Sequence, residues 1–172
     1  MHTAEHLASS MFYLGAAKQS IPRAKLFASG ASPVAGAYAV VHPFASAAEK
    51  TWPAAWFVEV ARHLVEGGVV PVFIAGAADD VTPFSEFRVI SAHLNEVKNL
   101  LSSATVFIGN DSGPAHMAAA FGVPVVVLYG PSDPVVWAPW RVPAQALVSA
   151  GPIESISPGE VIRALDEVRV AR

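Results

Sequence analysis

The sequence predicts an α/β protein: a three-layer, Rossmann-like parallel sheet with helices on both faces. Three observations carry that prediction. Short apolar runs alternate with helical segments from about residue 38 to about residue 170, the pattern of repeated strand–helix–strand crossovers. The runs are apolar without polar interruption, as strands covered on both faces must be. The composition is interior-rich, with 53% apolar and only 15% charged residues among 172.

Taken in order, Thr3 to Leu14 places Leu7, Met11, Phe12 and Leu14 on a helical stripe that closes at Gly15, so this helix is expected to dock on a neighbour. His2, Glu5 and His6 formally match the H-x-x-E-H zinc pattern, but a helix that begins at residue two lacks the scaffold a metal site needs, and no metal is assigned. Gln19 to Gly36 is rich in Pro, Ala, Ser and Gly and reads as a linker. Residues 1–36 are therefore a helix and linker, and 37–172 a single globular unit.

Tyr38 to His42 is the first strand, halted by Pro43. Pro53 opens a helix whose buried stripe is Trp56, Phe57, Val60, Ala61 and Leu64, and Gly67-Gly68 ends it. Val69 to Ala75 forms the second strand and stops at a turn containing Asp79. The segment Asp80 to Glu86 has room for a turn or two of helix at most, before a strand at Phe87 to Ile90 and a helix from about Ala92 to Ser102. Thr105 to Ile108, a helix from near Ser112 to Gly122, and Val125 to Tyr129 make a βαβ unit. In it Ser112 is the expected cap and Pro114 sits in the first turn, where its missing N–H costs nothing. A loop with Trp137, Pro139, Trp140 and Pro143 leads to a small strand at Ala146 to Val148. Ser157-Pro-Gly-Glu160 is a capping signature for a last helix ending near Val170.

If the strand order is 3-2-1-4-5-6, it reverses between the first and fourth strands, and open α/β sheets bind ligands at the carboxyl ends of such a reversal. Those ends carry the two most polar turns of the chain, His42 to Lys50 and Asn110 to His116. Lys50 supplies a mobile cation, helix amides near Gly113 supply directional donors, and His116 can donate to a phosphate oxygen or protonate a leaving group, a set that suits a diphosphate. Each residue also has a plainer reading: Lys50 as a solvated lysine, His116 as a packed histidine, Asp111 and Asp79 as turn residues. Convergence at the reversal decides for a site.

Other classes are excluded. Eleven basic against fourteen acidic side chains give a net charge of −3, with no basic block for nucleic acid or a polybasic membrane anchor. Cysteine is absent, consistent with a cytosolic location without proving it. The charge-free stretch Ser112 to Ser132 is broken by Gly and Pro into elements too short to span a membrane. Met1 to His6 lacks the basic head of a signal peptide. Neither a dinucleotide fingerprint nor a Walker loop is present, and no cofactor is assigned.

Gly109-Asn-Asp-Ser-Gly-Pro-Ala-His-Met-Ala-Ala-Ala120, with Gly122-Val-Pro-Val-Val-Val-Leu-Tyr-Gly-Pro-Ser-Asp-Pro134, resembles the donor-binding motif of the bacterial lipopolysaccharide heptosyltransferases, glycosyltransferase family 9. His42-Pro-Phe-Ala-Ser46 and Lys50-Thr-Trp-Pro53 resemble that family's phosphate loop. The resemblance spans nearly the whole chain but only the C-terminal half of such an enzyme. It implies one half of a GT-B fold that binds a nucleotide diphosphate sugar, typically ADP-heptose, through Ser46, Lys50, Asp111, Ser112, Gly113, Pro114 and His116. Lys50 and His116 would stabilise the leaving diphosphate, and Asp79 stands where the family often has a nucleoside-binding glutamate. The lipopolysaccharide-core acceptor and the general base would belong to an N-terminal half. The full enzyme would be cytoplasmic, peripheral at the inner membrane. Two other readings stand beside it: another GT-B nucleotide-sugar enzyme such as an epimerase, and a noncatalytic nucleotide- or phosphate-binding module.

Overall fold

In the computed structural model, which describes residues 1–91 and 93–170, one six-stranded sheet is parallel throughout, in the order β3-β2-β1-β4-β5-β6. The elements are α1 (Thr3–Tyr13), β1 (Tyr38–His42), α2 (Ala54–Glu66), β2 (Val70–Ala75), β3 (Arg88–Ser91), α3 (Leu94–Leu101), β4 (Val106–Asn110), α4 (Gly113–Phe121), β5 (Val125–Tyr129), α5 (Pro134–Trp137), β6 (Ala144–Val148) and α6 (Pro158–Val170). The reversal expected between the first and fourth strands is present: β1 lies between β2 and β4, with His42 in register with Gly109.

Two cores explain the uninterrupted apolar strands. Ala39, Val41, Phe73, Ile108 and Leu128 face Phe57 and Leu64 of α2 and Leu165 of α6. Their neighbours Val40, Val72, Phe107, Val125 and Tyr129 face Leu101 of α3 and Ala118 of α4 on the other side. Both sets of alternating side chains are buried, so the strands read as apolar on both faces. The alanines of α4 let it lie close on the sheet, and α4 ends at Gly122, whose φ of 80° suits a residue without a Cβ.

Several sequence expectations shift. β3 starts and ends one residue later than predicted. Ala92, where the following helix was expected to begin, lies outside the described residues, and α3 runs from Leu94, with the Glu96 carboxylate accepting from the His93 amide. The tight turn Thr82–Phe84 matches the short crossover expected there. Pro134–Trp137, read as loop, is one helical turn capped by Asp133, whose Oδ1 accepts from Val135 N at 2.8 Å. The docking expected of α1 is partial: none of its residues is buried and Leu7, Met11 and Leu14 are exposed, while Phe12 of the same stripe is half-buried. Only its start is held, by His2 Nε2 donating to Ala138 O (2.7 Å) and Thr3 Oγ1 to Val136 O (2.9 Å). The zinc-like pattern there is a capping box: His2 Nδ1 accepts from Ala4 N and Glu5 accepts from His2 N.

The linker is tied down by polar contacts that its composition did not advertise. Arg23 Nη1 donates to Ala119 O and Ala120 O at the end of α4 (3.0 and 2.8 Å), where cations favour the helix dipole. Asn99 Oδ1 accepts from the amides of Ser29 and Gly30.

Asn110 is the buried polar residue in the core, fully enclosed at the end of β4. Its Oδ1 accepts from Trp52 N (3.1 Å) and its Nδ2 donates to Pro43 O (2.8 Å), so one amide pins both ends of the 43–52 loop. Trp52, also fully buried, donates Nε1–H to Ile156 O at 2.9 Å and anchors the same loop to the segment before α6. Breaking both Asn110 bonds strands a buried amide and a buried carbonyl, so Asn110→Ala should destabilise the protein by about 2–4 kcal/mol. Urea unfolding at unchanged m-value measures it; a loss below about 1 kcal/mol would mean that Trp52 packing alone holds the loop.

Candidate functional site

The carboxyl ends of β1 and β4 lie side by side, and the turns that follow them meet. Lys50 closes a short 3-10 turn, Ala48–Lys50, after β1. Its Nζ stands 3.8 Å from Asp111 Oδ2, in the turn after β4. At the base of the same cleft His42 Nδ1 and Ser112 Oγ are 2.9 Å apart. Two independent contacts therefore join turns about 60–70 residues apart in sequence, and both involve residues picked from the sequence as site candidates. The approach is close throughout: a Cβ on Gly109 would lie 2.6 Å from His42 O, so only glycine fits there.

Ser112 stands at the cap position of α4, but its side chain makes no cap bond. The expectation that it satisfies the helix amides is overturned, because its hydroxyl is engaged with His42 instead. The two amides that a cap side chain would take are closed to it in any case, since Pro114 lacks an N–H and the Ala115 amide donates to Ser112 O at 3.1 Å, which leaves the Gly113 amide as the donor that opens the helix. Space above Gly113 is open, since a Cβ placed there would meet no atom within 4 Å. The Gly113 amide, the positive dipole end and the open space at Gly113 together form an anion-binding arrangement.

His116 lies in the first turn of α4. One side of it is open to solvent, and the other shares a mostly apolar cleft of about 310 Å³ with His2, Leu7, Val136, Trp137 and Trp140. Partial burial lowers its pKa below the ordinary histidine value, Asp111 opposes that shift, and His2 adds to it. Ser46 is exposed in the loop before Lys50. Asp79 Oδ2 accepts from Gly76 N at 2.7 Å, so one carboxylate oxygen serves its own turn.

Two residues had been weighed differently from sequence. Asn110, counted among the converging polar groups, spends its amide on the loop and belongs to the frame. His42, which opens the first of the two polar turns and the segment that resembles the phosphate loop but carries no individual role in the sequence reading, meets Ser112. Burial pushes its pKa down to about 4, against a smaller opposing pull from Asp79, so at neutral pH the ring is uncharged and acts through directional hydrogen bonds. The signal that could have found it was position: the last residue of the strand at the reversal.

The family model for glycosyltransferase family 9 (heptosyltransferase) matches residues 6–155. Lipopolysaccharide heptosyltransferase 3 of Escherichia coli K12 is 33% identical over 115 residues, 60% of this chain and 33% of that protein. Lipooligosaccharide heptosyltransferase 2 of Campylobacter jejuni is 29% identical over 104 residues, 54% of this chain and 33% of its own length. Among solved structures, a family 9 glycosyl transferase from Veillonella parvula superposes with a TM-score of 0.74 at 24% identity, covering 79% of this chain and 47% of that one. The Escherichia coli heptosyltransferase WaaC with ADP gives 0.74 at 21% identity, covering 87% and 52%. The chain thus spans about a third of the curated relatives it matches and about half of these solved chains, and its fold is that of one half of a GT-B glycosyltransferase.

The Lys50–Asp111 pair is partly solvated, and such pairs contribute little to stability. Lys50→Ala should therefore leave the unfolding free energy within about 1 kcal/mol of wild type. The same variant should lose most of its affinity for pyrophosphate by calorimetry. Intact pyrophosphate binding would remove Lys50 from the site.

Proposed function

The chain belongs to glycosyltransferase family 9, and from that premise we propose that it binds a nucleotide diphosphate sugar of the ADP-heptose class, as the donor-binding half of an inverting, metal-independent glycosyltransferase of lipopolysaccharide-core synthesis. The observation that carries the proposal is the convergence of Lys50 with the uncapped start of α4 at the strand reversal. The Escherichia coli relative solved with ADP supports the choice of nucleotide.

In this reading the diphosphate lies between Lys50 and the turn Asp111 to His116. Lys50 neutralises phosphate charge, the Gly113 amide and Ser112 hydroxyl donate to phosphate oxygens, and Pro114 leaves the turn without an N–H to satisfy. Charge accumulates on the diphosphate as it departs, and His116 donates to it. Groups aimed at charge that develops in the transition state lower the barrier most. Asp111 holds both Lys50 and the sugar. Ser46 contacts phosphate from the preceding loop, and the unused carboxylate oxygen of Asp79 accepts from a ribose hydroxyl.

If Asp79 meets the ribose, Asp79→Asn should weaken ADP binding about tenfold and pyrophosphate binding much less, since only the former ligand carries the hydroxyls. Equal losses would assign Asp79 to its turn alone.

Transfer is proposed to require a facing domain. The acceptor oxygen attacks the anomeric carbon, the bond from that carbon to the diphosphate breaks, and the acceptor proton must go to a base within hydrogen-bond reach. Asp111 is the carboxylate in this cleft, and it is paired with Lys50. The facing domain would supply that base, seat a lipopolysaccharide-core acceptor and exclude water from the sugar. The experiment incubates the chain with ADP-heptose and a lipopolysaccharide-core acceptor, alone and with a separately expressed N-terminal half from a family member. Donor binding without transfer by the chain alone, and transfer on adding the second half, is the expected result. Turnover by the chain alone would place the base here, and failure to bind ADP, UDP or GDP sugars would reject the donor site.

A further inference from the structure

The bond between His42 and Ser112 poses a question that the diphosphate reading does not answer. A serine at a helix cap ordinarily turns its oxygen to the opening amides. Ser112 instead sets its Oγ 2.9 Å from His42 Nδ1 and makes no cap bond. His42 has little freedom to be elsewhere. It is the last residue of β1, in register with Gly109, its ring packs edge-on to Phe44 at 6.1 Å and 71°, and its carbonyl is closed over by the Gly109 Cα.

We propose that His42 is a positioning residue for the donor diphosphate: it donates its Nδ1–H to Ser112 Oγ, which aims the hydroxyl proton of Ser112 at a phosphate oxygen. This rests on the reading of the cleft as a diphosphate site. The tautomer follows from proton counting. A hydroxyl has one proton and two lone pairs, and a diphosphate oxygen is an acceptor only. If Ser112 gives its proton to the phosphate, its other close partner must be a donor, and that partner is Nδ1–H. The reverse arrangement, with Ser112 donating to Nδ1, would spend the proton inside the protein and leave a lone pair facing an anion. Because burial keeps the ring neutral at ordinary pH, the contribution is one of direction rather than charge.

The test is ADP binding by calorimetry to wild type, His42→Ala, His42→Asn, His42→Gln, Ser112→Ala, the His42→Ala/Ser112→Ala double variant and Lys50→Ala. An asparagine amide nitrogen falls near the place of Nδ1, and a glutamine amide nearer that of Nε2. Loss of one directed hydrogen bond should weaken ADP about tenfold in Ser112→Ala and in His42→Ala, with the double variant no weaker than either single one. His42→Asn should stay within about threefold of wild type while His42→Gln behaves like Ser112→Ala. Wild-type affinity in His42→Ala, losses that multiply in the double variant, or better binding by His42→Gln than by His42→Asn would each overturn the inference. Should His42→Ala fail to fold, the order of the Asn and Gln variants decides it. Unchanged binding in Lys50→Ala would instead reject the diphosphate site itself, and this inference with it.

Discussion

The structure depends most on the buried amide of Asn110. A parallel sheet that reverses its strand order leaves a crevice between the carboxyl ends of two adjacent strands, and nothing in the sheet's own hydrogen bonding fixes the loops that leave it. Asn110 does so by accepting from Trp52 N and donating to Pro43 O, one at each end of the loop that carries Lys50. A backbone group buried without a partner is costly, and here two of them are satisfied by one side chain. The position of Lys50 relative to Asp111 follows from that pinning, because the lysine sits two residues before Trp52.

Around this frame, buried and exposed polar groups divide their work. Asn110 and the Trp52 indole N–H are bonded within the protein and buried away from solvent, so what they contribute is rigidity. Lys50, Ser46, the Gly113 amide and the open side of His116 keep capacity to spare. A rigid inner layer with under-used donors above it is what preorganised binding of an anion requires, since the cost of ordering has been met in folding. The uncapped start of α4 belongs to the same logic: a helix that satisfied its own amides would be more stable and would bind phosphate less well.

The architecture was legible because its determinants are local and repetitive. Runs such as Val69 to Ala75 and Val125 to Tyr129 lack any polar alternation, and that alone implies two covered faces, hence helices on both sides and crossovers between parallel strands. The place of the site followed from strand order, which turned out as expected. What stayed hidden were contacts between distant residues with no periodic signature. Arg23 reaching the end of α4, Asn110 holding the 43–52 loop, and His42 holding Ser112 each depend on where two unrelated segments meet, and each residue type has an unremarkable local explanation. Ser112 is the instructive case: its type and place suggest a cap, but Pro114 lacks an N–H and the Ala115 amide goes to the Ser112 carbonyl, and the hydroxyl pairs with His42 instead. In the same way α1 carries a sound apolar stripe, yet Leu7, Met11 and Leu14 remain exposed, because amphipathicity specifies a face to be covered and not what covers it.

That uncovered helix and the open cleft point in one direction. The site presents a cation, the first amide of α4 and a partly enclosed histidine, and the space at Gly113 is open. Electrostatic stabilisation of a leaving diphosphate gains most where water is excluded, since the same donors act far more weakly across solvent. Binding and catalysis therefore make different demands on this fold. Holding a diphosphate needs a preorganised wall, the part proposed for the turns that Asn110 pins and His42 joins, whereas displacing it from a sugar needs a second wall to shut out water and receive a proton. The proposed division between a donor-binding half and a facing domain rests on that difference: a doubly wound sheet builds the first wall at its strand reversal, and the second must face that reversal from outside the sheet.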